Sequence, residues 1–230
     1  MDKSTLVDQV YRALRDRILR GEFSPGEKLS LSRLAKEMEV SNSPLREAVS
    51  RLERVGLVEV VPYVGPRVRA LTESDVTDIY AVRIVLEDLV VRLAAEHATA
   101  SMLSRMEDAI QAYEKACDEN DIPAATEADR AFHDALVEAS DNAVLLDMLP
   151  GLSDRTQLLI ASSAPRRRPT PRRGVVEGHR RILDALRNHD GETAAQELRR
   201  QLEYGRRHLM RRIVRAKKRA ESTSPVAVGG

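Results

Sequence analysis

Three groups of side chains in this 230-residue sequence have types and spacing that could do chemistry. Asp129 and His133 are four residues apart, so on a helix they project from one face. A carboxylate and an imidazole at that spacing are half of a metal site. Most such pairs are solvated or hydrogen-bonded, so spacing alone favours that plain reading over a metal site. The run Ser41-Asn42-Ser43-Pro44-Leu45-Arg46 crowds small donors and acceptors at a helix start, with an arginine one turn in. Those side chains can reach base edges or phosphates, and the guanidinium can clamp a phosphate or a guanine edge. Arg83 stands four residues before Glu87, the spacing of an ordinary surface salt bridge.

Composition narrows the chemistry further. Cys117 is the single cysteine, which excludes an internal disulfide framework and a cysteine-based zinc site. Charged residues make up 32% of the chain, yet the net charge is +1, so any basic surface must be local. There is no secretory signal and no apolar run of membrane-spanning length, and the expected compartment is the cytoplasm, with no membrane partner. With two Phe and no Trp, the core must be aliphatic, which favours packed helices over strands.

The elements that must position these residues follow from periodicity. Leu6, Val10, Leu14 and Ile18 mark a first helix to Leu19, stopped by Gly21 and a Phe23-Ser24-Pro25-Gly26 turn. Leu31–Met38 reads as a short second helix with Leu34, Ala35 and Met38 inward. A third runs from about Pro44 to Val55, its exposed amides capped by Ser and Asn, with Leu45, Ala48, Val49 and Leu52 inward and Gly56 at its end. Residues 57–61 and 67–69 are β-prone around a Gly/Pro turn, hence a hairpin. Three helices and a hairpin are the order of a winged helix-turn-helix, with the Ser43–Val55 helix as the reading element.

Beyond Leu71 the pattern is helical throughout. Thr72-Glu73-Ser74-Asp75 starts a long helix to about His97, and further helices are expected over 101–118, 123–140, 142–162, 175–188 and 191–216. Arg166–Arg173, interrupted by Pro169 and Pro171, reads as a loop. The fold class is therefore mostly α: a winged helix-turn-helix over 1–70, an antiparallel all-α bundle over 71–216, and a disordered basic and polar tail over 217–230.

The residues of the first 70 positions carry a resemblance. Gly21-Glu22-Phe23-Ser24-Pro25-Gly26-Glu27-Lys28-Leu29, Leu34-Ala35, Val40-Ser41-Asn42-Ser43-Pro44-Leu45-Arg46-Glu47-Ala48-Val49 and Gly56-Leu57-Val58 resemble the DNA-binding domain of the GntR family. The remainder is similar to the FadR branch, whose helical effector domain is called FCD. That similarity rests on Ile79–Glu87, Asp129-Arg130-Ala131-Phe132-His133 and Gly178–Leu186. It implies a transcriptional regulator, not an enzyme: a homodimer that binds a palindromic operator in double-stranded DNA under control of a small organic acid. The DNA-contacting residues would be Ser32, Ser41, Asn42, Ser43, Arg46 and Arg51, with Gly65 and Arg67 on the wing. The family usually has arginine at Asn42 and often at Ser32, so an unusual operator is expected; Asn42 can still read adenine.

The resemblance also makes Asp129, His133 and His179 three ligands of a divalent ion, zinc or nickel, and makes Arg83 a pocket residue that binds a carboxylate. The family's fourth ligand, a histidine, falls on Gln201, 22 residues after His179. His208 lies seven residues further, about 10 Å along a helix, and cannot take its place without a register shift. Three readings follow: a weaker metal site completed by water, a different ion, or a metal-free pocket in which Gln201 bonds an organic ligand directly. A metal-dependent hydrolase built on the same cluster is the rival reading, but no base or nucleophile motif accompanies it. A ligand-free helical interaction module is the third.

Overall fold

The structure, a computed structural model, describes residues 4–162 and 173–223, with side chains through Arg215. Its chain falls into two compact units. The first takes the residues up to Val76, the stretch beginning at Gly151 and the residues from Arg211. The second takes Thr77–Pro150 and the stretch ending at Met210.

The first unit is the winged helix-turn-helix. Helix α1 (Leu6–Leu19) begins in a reciprocal cap: the Asp8 amide donates to the Thr5 hydroxyl and the Thr5 amide to the Asp8 carboxylate. Helices α2 (Leu31–Glu37) and α3 (Asn42–Arg54) follow, then strands β1 (Val58–Val61) and β2 (Gly65–Val68). The strands pair antiparallel from Val58↔Val68 to Val61↔Gly65. Gly26–Leu29 lies along the outer side of β2, bonded through Gly26 N–Val68 O, Val68 N–Glu27 O and Leu29 N–Pro66 O. Val10, Leu14 and Ile18 of α1, Leu34 of α2, and Leu45, Ala48 and Leu52 of α3 form one aliphatic core with Leu57 and Val68. Leu158, far away in sequence, completes it.

The capping expected of Ser41 is corrected. Ser41 is the N-cap of α3, yet its side chain makes no capping bond. An N-cap oxygen accepts from the second or third helical amide, and Pro44, at the third position, has none to give.

The second unit is all helical, as the sequence indicates. Its helices are α4 (Glu73–His97), whose first residues belong to the first unit, α5 (Ala100–Glu119), α6 (Ile122–Ala139), the beginning of α7 (Ala143–Ser162), α8 (Arg173–Arg187) and most of α9 (Gly191–Thr223). Thr99 and Asp121 cap α5 and α6, and Asn120 takes the left-handed turn between them. Helices α5 and α8 run antiparallel, joined by the ion pairs Glu107–Arg187, Glu114–Arg180 and Asp118–Arg173. Arg173 therefore opens α8, whereas the rest of the expected Arg166–Arg173 loop lies outside the described residues. Helix α9 continues to Thr223, beyond the expected end at 216, because Lys217–Glu221 are good helix formers. The end of the expected tail, 224–230, is outside the described residues. Among those described, no helix is long and apolar enough to cross a membrane.

Candidate DNA-reading edge and candidate metal and effector site

Packing in the first unit turns one edge of α3 outward. Leu45, Ala48, Val49 and Leu52 are buried, whereas Ser41, Asn42, Ser43 and Arg46 at its N-terminal end are exposed. Since Ser41 makes no capping bond, the first amides of α3 carry the positive end of the helix dipole without a side-chain cap, a suitable place for a phosphate. Arg46 has no ion pair among the described residues. Arg51 differs: its guanidinium reaches Asp8 and Glu47, each at 2.7 Å. Ser32 is exposed on α2. On the wing, Gly65 and Arg67 are half-buried, and Arg67 Nε is a buried donor without a partner. Lys28, which pairs with Arg67 across the strand edge, is exposed and was not among the sequence candidates. Arg69 is engaged by Asp75 at 3.1 Å.

In the second unit, three candidates from two helices meet. Asp129 and His133 of α6 and His179 of α8 each offer one ligand atom, all within 4.8 Å of one another. His179 Nε2 is 3.5 Å from an Asp129 oxygen. Ligand atoms held at about 2.0–2.2 Å by a single zinc ion stand roughly 3–3.6 Å apart, so a modest contraction would close the set. The surroundings fix the imidazoles: Phe132 stacks on His179 with centroids 4.0 Å apart, and Tyr113 meets it edge-on. His179 is 1% exposed, and both of its ring nitrogens are buried without a hydrogen-bond partner. An unsatisfied buried imidazole is costly, and a cation bound there would satisfy it. The residues present thus fit a divalent ion.

Electrostatics agree with that fit. Burial, with His133 close by, holds the His179 pKa well below its ordinary value, so at neutral pH the ring is a neutral donor with no proton to displace. Burial raises the Asp129 pKa, against the pull of His133 and Arg83. The Asp129 side chain keeps 45% of its accessible surface, so the open side of the cluster lies at this carboxylate.

Arg83 and Gln201 border this cluster in different ways. Arg83 is buried on α4, and its Nε donates to Glu87 at 2.6 Å. The salt bridge weighed from sequence is thus real but not superficial. The other Glu87 oxygen lies 4.0 Å from His133 Nδ1, so Glu87 connects Arg83 to the imidazole. Tyr80 places its ring 5.3 Å from the Arg83 guanidinium. Gln201 of α9 presses its Nε2 against α8 at Gly178, where a Cβ would collide with it. Gly178 immediately precedes His179, and Gln201 Nε2 is another buried atom without a partner. Glu87, Phe132, Tyr113 and Gly178 were missed as site residues. Only Glu87 gave a signal, its spacing from Arg83.

Comparison with known proteins decides the family. Residues 6–68 match the family model of bacterial regulatory proteins, gntR family, and residues 78–204, over half the chain, match the FCD domain. The chain belongs to the GntR family. It is 32% identical over 196 residues to the HTH-type transcriptional regulator YdhC of Bacillus subtilis, covering 83% of this chain and 84% of YdhC. It is 33% identical over 199 residues to LutR of the same organism, covering 77% of this chain and 89% of LutR. The solved structure of E. coli McbR/YncC has the same fold, with a TM-score of 0.82 at 24% identity, covering 90% of this chain and 98% of McbR. This GntR protein is therefore a DNA-binding transcriptional regulator with an FCD domain. Its relatives are regulators rather than enzymes, which leaves the hydrolase reading without support.

Proposed function

We propose that this GntR regulator works as a homodimer on a near-palindromic operator, and that its FCD domain binds a small organic acid with the help of a divalent ion. The reading edge would be Ser41, Asn42, Ser43 and Arg46, aided by Ser32, Arg51 and the wing residues Gly65 and Arg67. Two such edges related by a two-fold axis call for two half-sites. An exposed apolar stripe on α4, formed by Val82, Val85 and Leu89, supports pairing with a second copy.

The observation that carries the sensing half is the pair of buried, partnerless nitrogens of His179 beside Asp129 and His133. These three residues would hold the ion, and mixed imidazole and carboxylate donors suit zinc or nickel. Such an ion would supply a Lewis-acidic anchor for a carboxylate. Arg83, kept charged and oriented by Glu87, would add a second cationic contact, and Gln201 a neutral amide for a polar group of the effector. The effector would change operator affinity through unequal binding to two arrangements of the protein.

The test is calorimetric titration of chelator-stripped protein with zinc and with nickel, followed by operator binding in the presence of small mono- and dicarboxylates. The expected result is one ion per chain, loss of that ion in His179→Ala, and at least one acid that shifts operator affinity. Absence of ion binding and of any acid-dependent shift would refute the sensing half.

A further inference from the structure

The second half of α7 belongs to the DNA-binding unit, and its contacts there are specific. Leu158 is buried in the head's aliphatic core. Asp154, 3% exposed, takes the α1 guanidinium of Arg15 on both carboxylate oxygens, with Nε to Oδ2 at 2.6 Å. Arg155, the next residue, donates from Nε to the Val55 carbonyl at 2.8 Å. Val55 is the C-cap of α3, so Arg155 satisfies one of the carbonyls a helix end leaves open and brings a cation to the negative end of its dipole. The sequence is shaped around this contact. At Gly56 the φ of +77° favours glycine, and a Cβ there would stand 2.6 Å from Arg155 Nε and push the guanidinium from its place.

We propose that Asp154 and Arg155 are positioning residues of the DNA-reading head. Together they tie α1 and the C-terminal end of α3 to one short piece of α7. A helix moves as a rod, so fixing one end of α3 constrains the angle at which Ser41–Arg46 are presented. The same helix, on the other side of Pro150–Gly151, buries Leu145 and Leu149 in the second unit. Its hold on α3 gives a displacement of the Gly151–Ser162 part of α7 a direct route to the reading edge. The proposal rests on α3 being the recognition helix.

The test uses the full chain and an operator selected from random duplexes. Arg155→Met keeps an apolar stem as far as the position of Nε but removes the donor and the charge. It should weaken operator binding about tenfold, the loss expected of one charge-assisted hydrogen bond, while random-duplex affinity stays unchanged. Amide exchange should accelerate around Val55–Leu57. Arg155→Lys, which keeps the cation, should recover part of the loss, and Asp154→Asn should shift the operator-to-random ratio in the same direction by less. Wild-type operator affinity in Arg155→Met would overturn the proposal, as would an equal loss on both duplexes together with a lower melting temperature. If Arg155→Met does not fold, Arg155→Lys and Asp154→Asn decide by the same ratio. Arg46→Ala separates the two hypotheses: if it binds operator like wild type, the placement of the recognition helix is at fault, not the clamp.

Discussion

The two units place their candidate functional residues in opposite ways. In the head the proposed reading residues Ser41, Asn42, Ser43 and Arg46 are all exposed, while Leu45 and Leu52 anchor the helix in the aliphatic core. The second unit turns polar groups inward. His179, Arg83 and Glu87 are buried, and three of the partnerless side-chain atoms among the described residues belong to His179 and Gln201. A surface that meets DNA can leave desolvation to the moment of binding. A pocket that meets a small ligand must be desolvated in advance, and carries that cost in the free protein.

If the contrast holds, the heaviest penalty should come from breaking an inward pair. Glu87→Ala removes the buried ionic partner of Arg83 and should destabilise the protein by about 3–5 kcal/mol, measured by denaturant unfolding. Glu87→Gln should cost less, since its amide oxygen still accepts from Arg83. A loss below about 1 kcal/mol for the alanine variant would mean that the pair behaves like a surface salt bridge. Next in size, Arg46→Ala should leave stability within about 0.5 kcal/mol, as for an ordinary surface change, but weaken operator binding by about 10- to 100-fold. Fluorescence anisotropy at fixed salt measures that loss. A stability defect in Arg46→Ala would break the comparison from the other side.

The same contrast explains what could be read from sequence. In the head, the motif is local: a turn, a run of small polar residues, a proline and an arginine within six residues, so Ser41–Arg46 could be put forward without three-dimensional information. The helices of the second unit were equally legible, because aliphatic periodicity is a local signal. Its site was legible only in part. The spacing of Asp129 and His133 alone pointed no further than an ordinary helix-face pair, and family resemblance joined them to His179, 46 residues further on. The Phe132 stack and the Gly178–Gln201 contact depend on how α6, α8 and α9 pack, which no single segment encodes. The docking of Asp154 and Arg155 on the head left no trace either: both look like ordinary charges on an amphipathic helix.

A pH experiment sharpens the inward half of the comparison. The His179 pKa is depressed in the folded protein, first by burial and then by His133. The unfolded chain therefore binds a proton more readily, and stability is lost as pH falls below the ordinary histidine value of 6.5. In metal-free protein this single group contributes a slope of up to about 1.4 kcal/mol per pH unit. Asp129, raised by burial, acts in the opposite direction: its contribution is present at low pH and is lost as pH rises above 3.8. The difference between wild type and His179→Gln isolates the histidine. That difference should shift against wild type as pH falls below 6.5, and a flat difference would mean that His179 is not desolvated.

The smallest effect is expected at Arg51, and it tests the outward half most finely. Arg46 and Arg51 lie on the same helix, but Arg51 is held by Asp8 and Glu47 whereas Arg46 has no ion pair among the described residues. For Arg51 to grip DNA it would have to leave both carboxylates. The α1 cap does not need it: the Asp8 pKa is lowered to about 2 chiefly by the Thr5 hydroxyl and amide, with Arg51 a lesser influence. Arg51→Ala should therefore leave α1 folded and weaken operator binding only about twofold, through one screened positive charge, with a slightly shallower salt dependence. An effect as large as that of Arg46→Ala would show that DNA draws Arg51 away from its partners. The reading edge would then extend a full turn further along α3, and ion pairing in the free protein would no longer separate supporting arginines from reading ones.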